Sequence, residues 1–306
     1  MPAALSRRSV SPLAALVFGA VCISFAPVFV KLIGETRLGP TAMGFWRTFF
    51  GAVVLFVISV ARGGRPVLDK RLVKFSVLAG FIFFLDLFVW HRSVIYCGAG
   101  MATVLGNTQV FATGLLSWLY FSDRLTARYF LAAAAGLIGV VLLVGVFSQD
   151  VAFTPRYLNG VVLGLTTGLI YAHYLITLKW TGNRAGIPDV VTFMAWTSAF
   201  AALFLGIAVL IESSPLLPPD TESWLYLAML GLVAQALGWW AIASSLARIA
   251  TARAGLILLL QPTLAMVWGV MMFAEQFTPM QLLGAVIALA AIYYGGLRQG
   301  SVAGVD

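Results

Sequence analysis

The sequence predicts an all-α integral membrane protein of ten transmembrane helices, arranged as two inverted five-helix repeats. Three observations predict it. Of the 306 residues, 61% are apolar and only 10% charged, against about 45–50% and about 25% in soluble domains. Apolar runs of about 20 residues, enough to span ~30 Å of hydrocarbon, follow one another along the chain. The lysines and arginines fall mostly in alternate breaks between those runs, the signature of cytoplasmic loops.

The predicted spans are 11–33, 40–60, 72–95, 98–120, 128–147, 157–178, 190–211, 222–246, 252–273 and 280–297. The first follows Arg7-Arg8 and lacks a small-x-small cleavage site, so it reads as a helix and not a signal peptide. Only Tyr96–Gly100 separates the third from the fourth.

With the amino terminus in the cytoplasm, 14 of the 19 basic residues fall on the inner side: Arg7, Arg8, Arg62, Arg65, Lys70, Arg71, Lys74, Arg124, Arg128, Lys179, Arg184, Arg248, Arg253 and Arg298. Lys31, Arg37 and Arg156 fall outside, and Arg47 and Arg92 lie within spans. The carboxyl terminus is then cytoplasmic too, and the Glu212–Glu222 loop faces outward.

An internal repeat appears at an offset of 152 residues. Gln109 falls on Gln261, Phe121 on Phe273, Asp123 on Glu275, Thr126 on Thr278 and Leu131 on Leu283. Ser93 falls on Ser245 and Ala102 on Ala254, while Phe25-Ala26 resembles Tyr171-Ala172. The boundary lies near Ser148–Tyr157, dividing the chain into 1–150 and 151–306. Five spans is an odd number, so the second half enters the membrane from the opposite side, an arrangement typical of secondary transporters.

Several function classes are disfavoured. The net charge of +8 is scattered between apolar runs, not gathered on one face, so nucleic acid is not an expected partner. Two cysteines, Cys22 and Cys97, and two histidines, His91 and His173, suggest neither a disulfide framework nor a metal centre. No cofactor is expected. HExxH, GxSxG and P-loop patterns are absent, which disfavours an enzyme. No ring of charge or filter signature marks a channel.

Polar groups inside a membrane are costly and mark pathways or partners. Asp86 is the deepest acid in any span. On a helix it shares a face with Ala79, Ile82, Phe83, Trp90, Ser93 and Cys97. This face reads as a substrate lining, or Asp86 reads as a structural partner of Arg92, Arg47 or Lys31. Arg47 and Arg92 can hold a carboxylate or snorkel to the interface. His91 is a weaker candidate, and His173 points away and reads as structural.

Amides at Asn107, Gln109 and Gln261, with Thr108, point inward, to bind substrate or to tie helices. Gly160, Gly164 and Gly168 form a small-xxx-small stripe for close helix packing, with Tyr171 and Tyr174 near the same face. Gln235, Trp239, Trp240 and Ser244 are candidates in the eighth span, because Trp in mid-span is not an interface belt. Ala132-x-x-x-Gly136 can pack within the chain or against a second copy, so monomer and homodimer both stand.

The run Gln261-Pro262 through Glu275, followed by Thr278, Leu282 and Gly284, resembles the ninth and tenth helices of the drug/metabolite transporter superfamily in its EamA branch. The resemblance covers nearly the whole chain. Val110 stands where proline is common in the first copy, so the two halves need not bend alike. Within the branch the sequence looks most like YddG-type exporters of aromatic and other neutral amino acids.

The resemblance implies a multi-pass protein of the cell inner (plasma) membrane, working by alternating access on amino acids or similar zwitterions. Drugs or other metabolites such as purines are the alternative cargo. Small multidrug exporters of the superfamily trade substrate for protons on a glutamate in their first helix. Span one here has no acid, so any proton coupling would fall to Asp86 or His91.

Overall fold

A computed structural model describes residues 11–34, 37–63, 69–121, 127–144, 152–184, 189–246, 257–258 and 260–296. Arg7, Arg8, Arg65, Asp123, Arg124, Thr126, Arg248, Arg253, Ala254 and Arg298, with residues 148–151 of the proposed junction, lie outside the described residues.

The described residues form helices and the turns between them, with no strand. In order they form α1 (Pro12–Ser24), α2 (Ala26–Ile33), α3 (Pro40–Ala61), α4 (Lys70–Cys97), α5 (Ala99–Gly106), α6 (Gln109–Phe121), α7 (Ala127–Val144), α8 (Pro155–Arg184), α9 (Val190–Ile211) and α10 (Thr221–Met229). A π-helical segment (Leu230–Gly238), α11 (Trp239–Leu246), α12 (Leu260–Phe273) and α13 (Pro279–Gly296) follow.

Among the described residues, six helical stretches are long and apolar enough to cross a membrane: Pro12–Ile33, Pro40–Ala61, Lys70–Cys97, Pro155–Leu178, Val190–Ile211 and Thr221–Ser245. Shorter apolar helices fill Phe130–Leu143, Leu260–Phe273 and Pro279–Ala291. Leu131, Leu210, Ile211 and Met271 are each more than 70% exposed. Such an apolar exterior fits lipid and not water.

Three of the expected spans are not plain α-helices, and each departure has a local cause. The first breaks at Phe25, because Pro27 has no N–H to give to the Ile23 carbonyl four residues back. The fourth breaks between α5 and α6. There Asn107 Nδ2 donates to the Thr103 carbonyl at 2.8 Å and Thr108 Oγ1 to the Leu105 carbonyl at 2.6 Å, so side chains compete for the helix's own acceptors. The eighth widens into the π segment, a form concentrated at functional sites.

Close helix approach follows the small residues. A Cβ on Gly139 would lie 2.5 Å from the Ala288 nitrogen, and one on Gly284 2.4 Å from the Leu143 nitrogen. α7 and α13 therefore meet backbone to backbone. Gly136 packs on Phe111 and Ala291 of the same chain, so this part of the stripe is used internally. The Gly160, Gly164 and Gly168 stripe seats α8 against Cys97, Leu105 and Thr108.

All four ion pairs among the described residues lie at one end of the bundle. Arg92 Nη2 meets Glu212 Oε1 at 2.6 Å and also donates to Thr41 Oγ1. Arg37 Nη1 reaches Glu222 at 2.9 Å and Asp220 at 3.9 Å. The Asp220 carboxyl is held below the usual range, first by the Ser223 N–H that donates to it and then by Arg37.

The fourth pair ties distant segments together. Glu275 Oε1 accepts from Lys31 Nζ at 2.5 Å and from Ala99 N at 3.0 Å, and Oε2 accepts from Gly100 N at 3.4 Å. The carboxylate thus caps the first turn of α5, a favoured place for an anion. Gly98, at φ +95°, makes the turn into α5, and a Cβ there would lie 3.1 Å from Glu275 Oε1.

Candidate functional site

The breaks in α1–α2 and α5–α6 face one another at the centre of the bundle. Between them lies a cavity with about 50 Å³ of water-accessible space, room for a few waters at ~10–15 Å³ each. Its wall comes from most of the bundle: Ile23 of α1, Ala26 and Pro27 of α2, Arg47 of α3, Phe83, Asp86, Leu87 and Trp90 of α4, and Thr103, Gly106 and Asn107 of α5 and its end. Thr167 and Tyr171 of α8, Trp239 of α11 and Gln261 of α12 complete it.

The aromatic wall is a connected cluster. Phe83 stacks on Tyr174 at 4.7 Å between centroids and meets Trp239 edge-on at 5.5 Å. Tyr171 meets Trp239 edge-on at 5.8 Å. Stacked and edge-on pairs of this kind are favourable beyond simple burial, and they hold the rings in place round the cavity.

Two charged groups face this space. Asp86 is 7% exposed and its Oδ1 has no hydrogen-bond partner among the described residues. Arg47 is 3% exposed, and its Nε donates to Gln235 Oε1 at 3.3 Å. Gln235 in turn donates from Nε2 to Ser198 Oγ at 2.9 Å. The wide π turn sets Gln235 against Gly51, where any Cβ would clash with it at 2.2 Å.

Of the eleven residues predicted from sequence, the structure brings seven to the cavity: Phe83, Asp86, Trp90, Asn107, Tyr171, Trp239 and Gln261. It places the other four elsewhere. His91 turns to the far side of α4, where Nδ1 pairs with the Leu87 carbonyl at 2.7 Å and the ring packs near Gly44. Gln109 accepts from Thr113 one turn along α6. Gln235 sits behind Arg47. Ser244 is half-buried outside the lining. Trp240 lies beneath the Arg62 guanidinium, 4.8 Å from ring centre.

The expected structural partners of Asp86 are engaged elsewhere in two cases: Arg92 with Glu212 and Lys31 with Glu275. Only Arg47 remains near it. The residues not anticipated at the wall are mostly small or apolar: Ile23, Ala26, Pro27, Leu87, Thr103, Gly106 and Thr167. Pro27 was the legible signal, a proline inside an apolar run. Nothing in the sequence distinguished Thr103 and Thr167 from other span hydroxyls. Among the described residues no group of acids, cysteines and histidines could hold a metal ion.

The chain is similar to several known proteins. It is 26% identical over 279 residues to an uncharacterized transporter of Archaeoglobus fulgidus, covering 91% of this chain and 94% of that one. It is 29% identical over 203 residues to a probable amino-acid metabolite efflux pump of Salmonella typhimurium, covering 64% of this chain and 66% of that one. The Escherichia coli protein of the same description is 28% identical, covering 65% and 69%. A solved crystal structure shares the fold with a TM-score of 0.66 at 16% identity, covering 92% of this chain and 95% of that chain.

The EamA-like transporter family model matches residues 11–145 and again 158–294, and with most of its length accounted for in this way the chain belongs to the EamA-like transporter family.

Proposed function

We propose that this protein exports amino acids and similar small zwitterions, chiefly aromatic and other neutral amino acids, by alternating access through the central cavity. The cavity carries the reading. It is buried at mid-bundle and lined by one acid, one arginine and four aromatic rings, Phe83, Trp90, Tyr171 and Trp239. The efflux-pump relatives named for amino-acid metabolites support the substrate class.

In this reading the ten spans form two inverted five-helix repeats, 1–150 and 151–306. α1 to α7 make the first repeat and α8 to α13 the second. The double family match at 11–145 and 158–294 supports the division, and the cavity wall draws on both halves. The bias of Lys and Arg supports cytoplasmic termini in a cell inner membrane. The ion-paired end then faces outward.

Counterflow in proteoliposomes tests the proposal. Liposomes loaded with unlabelled phenylalanine or leucine are expected to drive uptake of the labelled amino acid. Failure of every neutral amino acid to do so would sink the substrate class. A hydrolytic activity in its place would remove the carrier reading itself.

A further inference from the structure

The exporter reading leaves open which atoms hold the cargo, and the inference here rests on that reading. Asp86 and Arg47 face one cavity from neighbouring helices, yet they are not an ion pair: the four pairs among the described residues involve other groups. Asp86 Oδ1 has no protein partner. Arg47 makes a single hydrogen bond among the described residues, from Nε to Gln235.

That single bond is informative. The Gln235–Ser198 bond behind it fixes Gln235, and Gln235 takes the Nε side of the guanidinium. The two Nη atoms, with four of the guanidinium's five N–H donors and able together to grip a carboxylate, remain for the cavity. The guanidinium carbon stands 5.5 Å from the Trp90 ring centre and 5.9 Å from that of Phe83, so flanking rings limit where the head group can go.

Buried opposite charges normally close on each other, because each left alone pays for its lost hydration. Here the two make no ion pair, and both line the space that Phe83, Tyr171 and Trp239 also border. A ligand with a positive group and a negative group on neighbouring atoms would satisfy both at once.

We propose that the cavity binds an α-amino acid as its zwitterion, the ammonium on Asp86, the carboxylate on the Nη atoms of Arg47, and the side chain against Phe83, Tyr171 and Trp239. Gln235 is a positioning residue for Arg47. A monoamine would leave Arg47 unanswered and a simple carboxylic acid would leave Asp86 unanswered. Leaving one member of a buried charged contact unpaired weakens binding by at least about thirtyfold.

The test is equilibrium binding of labelled phenylalanine, and of labelled leucine, to the full-length protein in lipid nanodiscs. The competitors are phenethylamine and 3-phenylpropionate, which keep the ring and each lack one charged group. Both are expected to compete at least about thirtyfold more weakly than phenylalanine. Arg47→Met should lose most of the preference over phenethylamine, and Asp86→Asn most of the preference over 3-phenylpropionate.

Competition by either analogue within threefold of phenylalanine in the unmutated protein overturns the assignment, as does an unchanged ranking in both variants. The ranking in the unmutated protein decides the matter even if a variant fails to fold. If amino acids show counterflow while the analogues bind equally, this inference alone fails. If neither phenylalanine nor leucine binds or exchanges, the exporter reading fails with it.

Discussion

Replacing Glu275 by glutamine should open the ion-paired end of the bundle. The carboxylate joins the α12–α13 turn to Lys31 of α2 and to the first turn of α5. It is 13% exposed and Lys31 25%, so water screens the contact only in part. Glutamine keeps one acceptor oxygen, loses the charge, and turns an NH₂ toward a backbone N–H.

An anion at a partly buried helix N-terminus contributes up to about 2 kcal/mol, and a hydrogen bond to a charged group about 1.5–3 kcal/mol. The two overlap at Glu275, so about 2 kcal/mol is a fair sum, or roughly thirtyfold in the ratio of closed to open. The assay is alkylation of a cysteine at Thr103, in the cavity wall, with Cys22 and Cys97 replaced, by an impermeant thiol reagent added outside. Glu275→Gln should raise the labelling rate roughly thirtyfold at most, in proportion to the open fraction. An unchanged rate would show that this contact does not restrict access from outside to the cavity wall.

Three other outcomes are expected. Gly139→Leu and Gly284→Leu each force a side chain into backbone at 2.4–2.5 Å and should abolish folded protein in detergent, read by size exclusion and thermal melting; Gly39→Ala, whose nearest neighbour is 4.0 Å away, should not. Asp86→Asn should leave the protein folded and in the membrane but cut transport at least about tenfold, or about 1.4 kcal/mol in the affected step; normal uptake with normal expression would make Asp86 a packing residue. A cysteine placed at Ser214 should react with an impermeant reagent in intact cells, and reaction only after the cells are broken would reverse the orientation.

Length and apolarity made the long helices legible, because hydrocarbon thickness imposes one span length on any sequence. The face of α4 was legible for the same kind of reason: helical spacing alone puts Phe83, Asp86 and Trp90 together. The breaks were less so. An unbroken 98–120 span scores the same whether or not Asn107 and Thr108 turn back on their own helix. The π segment at Leu230–Gly238 has no sequence signature, so Gln235 read as a cavity residue when it stands behind Arg47. His91 and Gln109 show the limit most plainly. A polar residue in an apolar run must find a partner, but composition does not say whether that partner is substrate or the preceding turn.

Amino acids that pass through this cavity should shield its wall from chemical modification. The cysteine at Thr103 is alkylated during turnover, with and without saturating phenylalanine or leucine. Either amino acid should slow the reaction severalfold, while a cysteine at half-buried Ser214, outside the cavity lining, should be unaffected. Full transport with no protection at Thr103 would contradict it and place the pathway elsewhere in the bundle.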